Sequence, residues 1–200
     1  MYNHKEGVSL RKVEQSDLPK LLELKNESWW GTHSTSIINL DDQINWYKNI
    51  DDHSMFLIGE MQCPVGVAVF TNIDWVSRNL NISGSVYKEH RSKAAYAGFC
   101  AGLDFAFEML NMNRVEAEVL EYHFMARKLE VDILGFAIEG IKRKSVYKCG
   151  RYYDSLVLGM LREEWSNSDR VKKYGDSCNE NFSHDKFNKL MLRKKTQQSA

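Results

Sequence analysis

Apolar and polar residues alternate from Val8 to Val13 in the string VSLRKV, the period of two that a strand shows when one face is buried. Asp17, Leu18 and Pro19 follow as an N-cap residue and a first-turn proline. Leu18, Leu21, Leu22 and Leu24 then supply the apolar stripe of a helix reaching about Asn26. The stretch WWGTHSTSIIN is polar apart from its ends and predicts an ordered loop, because two tryptophans in it need a place to bury. A second, less regular amphipathic helix opens at Asp41 or Asp42 and carries Ile44, Trp46, Tyr47 and Ile50.

From Met55 the period changes. MFLIGEM and VGVAVFTNI flank the turn residues CP and predict a hairpin, and LNISGSVYK, after the polar turn WVSRN, predicts a third meandering strand. Gly84 inside that strand marks a bulge or a close approach by another backbone or a ligand. Ala94 to Met109 reads as a helix whose small residues Ala94, Ala97, Gly98, Ala101 and Gly102 let it lie close to a sheet. RVEAEVLE, FMARKLEVDIL, GFAIEGIKRKSV and YYDSLVLGML then read as strand, helix, strand, strand. That order predicts a mixed α/β domain with a largely antiparallel sheet over residues 1–165. Trp46, Phe105, Phe107 and Phe136 are assigned to its core. The polar stretch 166–200 reads as a C-terminal extension, with a short amphipathic helix at Phe187 to Leu192.

Composition narrows the partners. A chain of 200 residues suits one domain, and 27 basic against 27 acidic side chains leave no net field toward nucleic acid or anionic lipid. The KKY and LRKK clusters of the extension are the one place where a nucleic-acid role finds support, and the balanced charge argues against it. Cys63, Cys100, Cys149 and Cys178 stand far apart with no CxxC pair and no histidine at ligand spacing, so they read as reduced thiols and no metal is expected. The first residues carry charge where a signal peptide needs an apolar core, and no stretch approaches the roughly twenty apolar residues of a membrane span. A cytoplasmic monomer or homodimer without a nucleic-acid or membrane partner is the expectation.

Three late strings stand in order: NMNRVEAEV, LGFAIEG and YYDSLVLGMLREEW. With Lys25 and Asn26 at the end of the first helix and the hairpin VGVAVFTNIDW, they resemble the GNAT superfamily of acyltransferases, in the branch holding RimJ/RimL-type and amino-sugar acetyltransferases. The resemblance covers about Val8 to Trp165. It implies a sheet splayed between the fourth and fifth predicted strands, with the pantetheine arm of acetyl-CoA, or another acyl-CoA, lying in the gap along Gly84, Ser85, Val86 and Tyr87. The string HRSKAAYAG occupies the place of the family's pyrophosphate loop, which implies cofactor contacts from Arg91, Ser92, Lys93, Ala94, Ala95, Tyr96 and Ala97. Ala94 and Tyr96 stand where that loop usually has glycines, whose backbone N–H groups converge on phosphate beside a helix N-terminus.

Acyl transfer from a thioester to an amine needs a neutral nucleophile, a polarised carbonyl and a thiolate that can be protonated. Many relatives place a tyrosine acid in the helix after the fifth strand, and here that place holds Val131, while Phe124 lies near the family's helix-opening asparagine. Glu118, Tyr122 and His123 are the catalytic candidates nearby. Glu118 reads equally as a solvent-facing strand residue, and His123 equally as a helix-start residue bonded to water. Trp29, Trp30 and His33, in the loop between the first two helices, either wall a substrate pocket for a sugar ring or a peptide end or serve as packing anchors. The leading function is an acetyl-CoA-dependent N-acetyltransferase acting on the primary amine of a nucleotide-linked amino sugar or of a protein N-terminus. The alternative is a GNAT-fold binding or assembly module without catalysis.

Overall fold

The structure, a computed structural model, describes residues 1–4, 7–33, 38–91 and 93–167, apart from the Lys93 side chain. Ser92, Cys178 and the helix expected at 187–192 lie outside the described residues. Eight strands make one sheet: β1 (Tyr2–Asn3), β2 (Ser9–Lys12), β3 (Met55–Glu60), β4 (Pro64–Asp74), β5 (Asn79–Val86), β6 (Arg114–Leu120), β7 (Ala137–Lys148) and β8 (Arg151–Leu161). Their order is β1-β2-β3-β4-β5-β6-β8-β7, antiparallel throughout except between β5 and β6. The helices are α1 (Leu18–Glu27), α2 (Leu40–Lys48), α3 (Lys93–Asp104), α4 (Phe124–Arg127) and α5 (Arg162–Ser166). Both α3 and α4 run on into wider π-helical turns, Phe105–Met109 and Lys128–Ile133.

Each face of the sheet has its own core. Val115, Ala117 and Val119, alternate residues of β6, share one cluster with Ala97, Cys100 and Ala101 of α3 and with Ile133, Leu134 and Phe136. Ala126, Leu129 and Val131 of the α4 segment pack against the same cluster, so α3 and α4 cover the same face. A smaller cluster on the other face joins Leu18, Leu21 and Leu24 of α1 to Val13, Ile58 and Tyr87. Period-two strands therefore carry a helix layer on each side, which is the mixed α/β architecture read from the sequence.

Several local expectations are corrected. Asp17 does not cap α1: its carboxylate accepts from Arg11 at 2.7 and 2.9 Å and from the Glu14 amide at 2.8 Å. A second helix opened by Asp41 or Asp42 is instead capped by Asn39, whose side chain accepts from the Asp42 amide while the Asn39 amide donates to the Asp42 carboxylate. Gly84 is no bulge, since it pairs in register with Ala68. A Cβ there would come within 2.8 Å of the Val67 carbonyl oxygen, so the glycine answers a close backbone approach. Phe107 and Phe136 are core residues, whereas Trp46 and Phe105 are half-buried, Trp46 lying edge-on to Phe56 with ring centres 4.6 Å apart.

Candidate active site

β5 and β6 pair only where Asn79–Asn81 meets Arg114–Glu116. Beyond that point they part, because β6 turns to pair with β8 along its whole length and β5 stays with β4. The Tyr87 amide donates to the Val65 carbonyl at 3.0 Å. Main-chain groups alternate sides along a strand, so Ser85 and Tyr87 face β4 while Ile82, Gly84 and Val86 face the gap. Of the expected cofactor-strand residues, only Val86 and Gly84 thus offer main chain to the gap. The main chain of Ser85 and Tyr87 is committed to β4, and that of Ile82, not singled out from the sequence, also faces the gap. The Tyr87 side chain belongs to the α1 core, where burial, with Asp17, Glu23 and Glu89 nearby, pushes its phenol up to about 12.

At the end of β5 the chain reaches exposed Arg91 and enters α3. First-turn N–H groups of a helix have no intrahelical acceptor, and those of Ala94 and Ala95 find no other partner among the described residues. This gives a helix N-terminus of favourable partial charge with a guanidinium beside it. Tyr96, 5 % exposed, and Ala97 lie in the core cluster under the helix and do not line the loop. Tyr96 therefore does not plug the loop.

On the opposite face of β6 stands Glu118. Its Oε1 accepts from Ser155 Oγ at 2.5 Å and meets His33 Nε2 at 3.1 Å, and its Oε2 accepts from Lys142 Nζ at 2.5 Å. Partial burial raises this carboxyl's proton affinity, but the bonds from Lys142 and Ser155, with the His33 charge behind them, outweigh it and hold the group below its ordinary value. The structure thus joins two residues predicted for different roles, Glu118 and His33, into one pair.

His123 is a helix cap. Its Nδ1 accepts from the Ala126 amide at 3.1 Å, doing the job expected of an asparagine one residue later. Burial, with a smaller contribution from the Arg91 charge, lowers its basicity. Its ring lies against Gly31, where a Cβ would fall 2.6 Å from Nε2. Tyr122 donates its hydroxyl to the Trp30 carbonyl at 2.7 Å and packs between Trp30 and Tyr153, with ring centres at 4.8 and 4.6 Å. Burial raises that phenol's pKa. Both residues hold the loop that carries Trp29, Trp30 and His33.

Lys148 completes the fastening. It is only 3 % exposed, its ammonium donates to the carbonyls of Trp29 and Thr32 with Trp30 O at 3.4 Å, and it lies 5.4 Å from the Trp29 ring centre. Burial lowers its pKa. Between Trp29 and His33 on one wall and residues 145–149 on the other is a pocket of about 500 Å³. Trp29, 40 % exposed, walls this opening, whereas Trp30, equally exposed, packs on Tyr122 and Tyr153 and does not line it. Replacing Gly31 by alanine is expected to push the His123 ring away, uncap α4 and tilt the loop. Urea denaturation should show a loss of about 1–3 kcal/mol, the ordinary cost of overpacking.

The comparisons agree with this geometry. The family described as "Acetyltransferase (GNAT) domain" matches residues 10–157. A spermidine N-acetyltransferase from Vibrio cholerae, in complex with CoA and spermine, superposes with a TM-score of 0.77 at 21 % identity, over 82 % of this chain and 100 % of that one. A dodecameric structure of spermidine N-acetyltransferase from the same organism, in an intermediate state, gives 0.71 at 22 % identity, over 82 % and 99 %. Those likenesses establish the fold. No curated protein sequence matches this chain significantly. With the family match spanning most of the chain and the splayed sheet in place, this protein belongs to the GNAT acetyltransferases, enzymes that carry an acetyl group from acetyl-CoA to an amine.

Proposed function

We propose that this protein acetylates a primary amine seated in the pocket between Trp29, His33 and residues 145–149. Acetyl-CoA would lie along the gap-facing main chain of Ile82, Gly84 and Val86, with its pyrophosphate at Arg91 and the first turn of α3. The observation that carries the reading is the parting of β5 from β6 beside a helix N-terminus whose Ala94 and Ala95 amides have no partner among the described residues. Glu118 is loaded with three donors and is a poor base by itself. It orients His33 and balances the charge His33 gains on taking a proton from the attacking amine, directly or through water.

The pocket wall carries Lys148 and, among the described residues, no carboxylate. A polyamine, the substrate class in the name of the similar Vibrio cholerae enzyme, needs acidic partners for its second and third ammonium groups. An amino sugar linked to a nucleotide, or a protein N-terminal amine, does not, and Trp29 with Tyr147 offers a flat wall for a ring or side chain. The amino-sugar reading also accords with the branch that the late sequence strings resemble.

Acetyl-CoA at about 100 times its Kd should raise Tm by roughly 5–10 °C. Release of free thiol should then follow with a nucleotide-linked amino sugar or with peptides bearing free amino ends, and more slowly with spermidine. The commitment of Tyr122 and His123 to structural bonds favours a second reading, a binding module without turnover. A cofactor-induced shift with no thiol released from any amine would establish that reading, and no shift at millimolar cofactor would sink both.

A further inference from the structure

Glu130 contradicts the rule that buried carboxylates have partners. It lies in the π-helical turn that continues α4, is 7 % exposed, and its Oε2 has no hydrogen-bond partner. Its neighbours on the buried side of the helix, Ala126, Ile133 and Leu134, belong to or pack on the cluster that includes Ala117 and Val119 of β6 and Ala97 of α3. Those β6 residues sit where the strand has parted from β5. Glu130 is thus carried in the helix layer that flanks the gap, on the side opposite the Glu118–His33 pair. Burial alone pushes its carboxyl up to about 8, with no charge on α3, β6 or α4 contributing, Lys128 and Asp132 of its own turn included. Tyr96 and Cys100 are the titratable groups of α3 in the same cluster.

The reaction leaves one proton unassigned. On the reading of the site given above, the amine proton departs through His33, but the thiolate leaving on the other side of the acetyl group needs a donor. Tyr122 spends its hydroxyl on Trp30, and His123 spends Nδ1 on its helix cap. We propose that Glu130, buried in the helix layer that flanks the gap with its Oε2 unpartnered, protonates the departing thiolate of coenzyme A. The amine nitrogen bonds to the thioester carbon, the carbon–sulfur bond breaks with its electron pair going to sulfur, and the Glu130 proton passes to that sulfur. Glu130 is left as a carboxylate and regains its proton from water. A buried acid without a fixed acceptor is free to make that transfer, and the widened turn at Lys128–Ile133 sets its place on the helix.

The test compares the wild type with Glu130→Gln and Glu130→Met, both of which fit an apolar site. For Glu130→Gln kcat is expected to fall about 10²-fold while the acetyl-CoA thermal shift persists. Wild-type kcat should hold to about pH 8 and decline above it as the acid ionises, and that basic limb should vanish in both variants. A readout independent of turnover is Tm against pH. The carboxyl has its folded pKa above its unfolded value, so it weakens the folded state increasingly as pH rises from about 4.5 to about 8, and both variants should gain on the wild type over that window. Variants that show this gain yet keep wild-type kcat and its basic limb would make Glu130 a structural oddity and overturn the proposal. Should neither variant fold, a wild-type kcat with no decline above pH 8 does the same. If the wild type releases no thiol with any amine, the proposed function fails first and this inference with it. If it turns over and the variants match it, only this inference fails.

Discussion

Glu118→Gln is expected to lower kcat by about 10²-fold with little change in Tm. Glutamine keeps the volume and can still accept from Ser155 Oγ or meet His33 Nε2. It lacks the charge that Lys142 and a protonated His33 need. On the proposed mechanism Glu118 acts through His33, so their effects should not add. His33→Gln alone should cost a comparable factor, and the double variant little more than either single one. Losses that multiply would mean that Glu118 and His33 act in separate steps. The surviving acetyl-CoA thermal shift separates lost proton transfer from a lost cofactor site. A KM for the amine that rises without a fall in kcat would instead make the pair part of the binding pocket.

The fold was legible because its signals are periodic and local. Alternation in VSLRKV, RVEAEVLE and YYDSLVLGML located β2, β6 and β8, and only the two-residue β1 was too short to show a period. Helix starts were less legible where two capping types compete, as at Asn39, Asp41 and Asp42, and where a better partner draws the cap away, as Arg11 does Asp17. Which side of β5 faces the gap was not legible, since it depends on the register with β4 and on where β6 departs. Lys148 and Ser155 were missed for another reason. In KRKSVYKCGR a lysine looks like any solvated charge, and it becomes a fastener only because a loop more than a hundred residues earlier turns its carbonyls toward it. Glu130 did leave a trace. It falls four residues after Ala126 and four before Leu134, so it interrupts the apolar stripe of FMARKLEVDIL.

The largest effect on stability is expected at Asp104, far from the chemistry. This carboxylate ends α3 and is almost fully buried. Its Oδ2 lies 2.7 Å from His4 Nε2, and its Oδ1 accepts from Trp165 Nε1 at 2.6 Å. One side chain therefore ties the N-terminal strand and α5 to the helix that opens at the cofactor gap. Tyr2 adds a ring contact to Phe105, centres 5.5 Å apart, on the same corner. Asp104→Ala takes the carboxylate away from the imidazole and the indole N–H in a low-dielectric site, so the loss should be about 3–5 kcal/mol, or roughly 6–20 °C in Tm. Asp104→Asn keeps the shape and one acceptor, and should lose about 1–3 kcal/mol. His4→Ala and Trp165→Phe should each lose less than Asp104→Ala, because the first keeps the Trp165 bond and the second the His4 contact. If Asp104→Ala unfolds no earlier than Asp104→Asn, the termini hold by packing alone and the carboxylate is incidental. If the order holds, Trp165, the last core residue among those described, owes its seat on the sheet to this carboxylate.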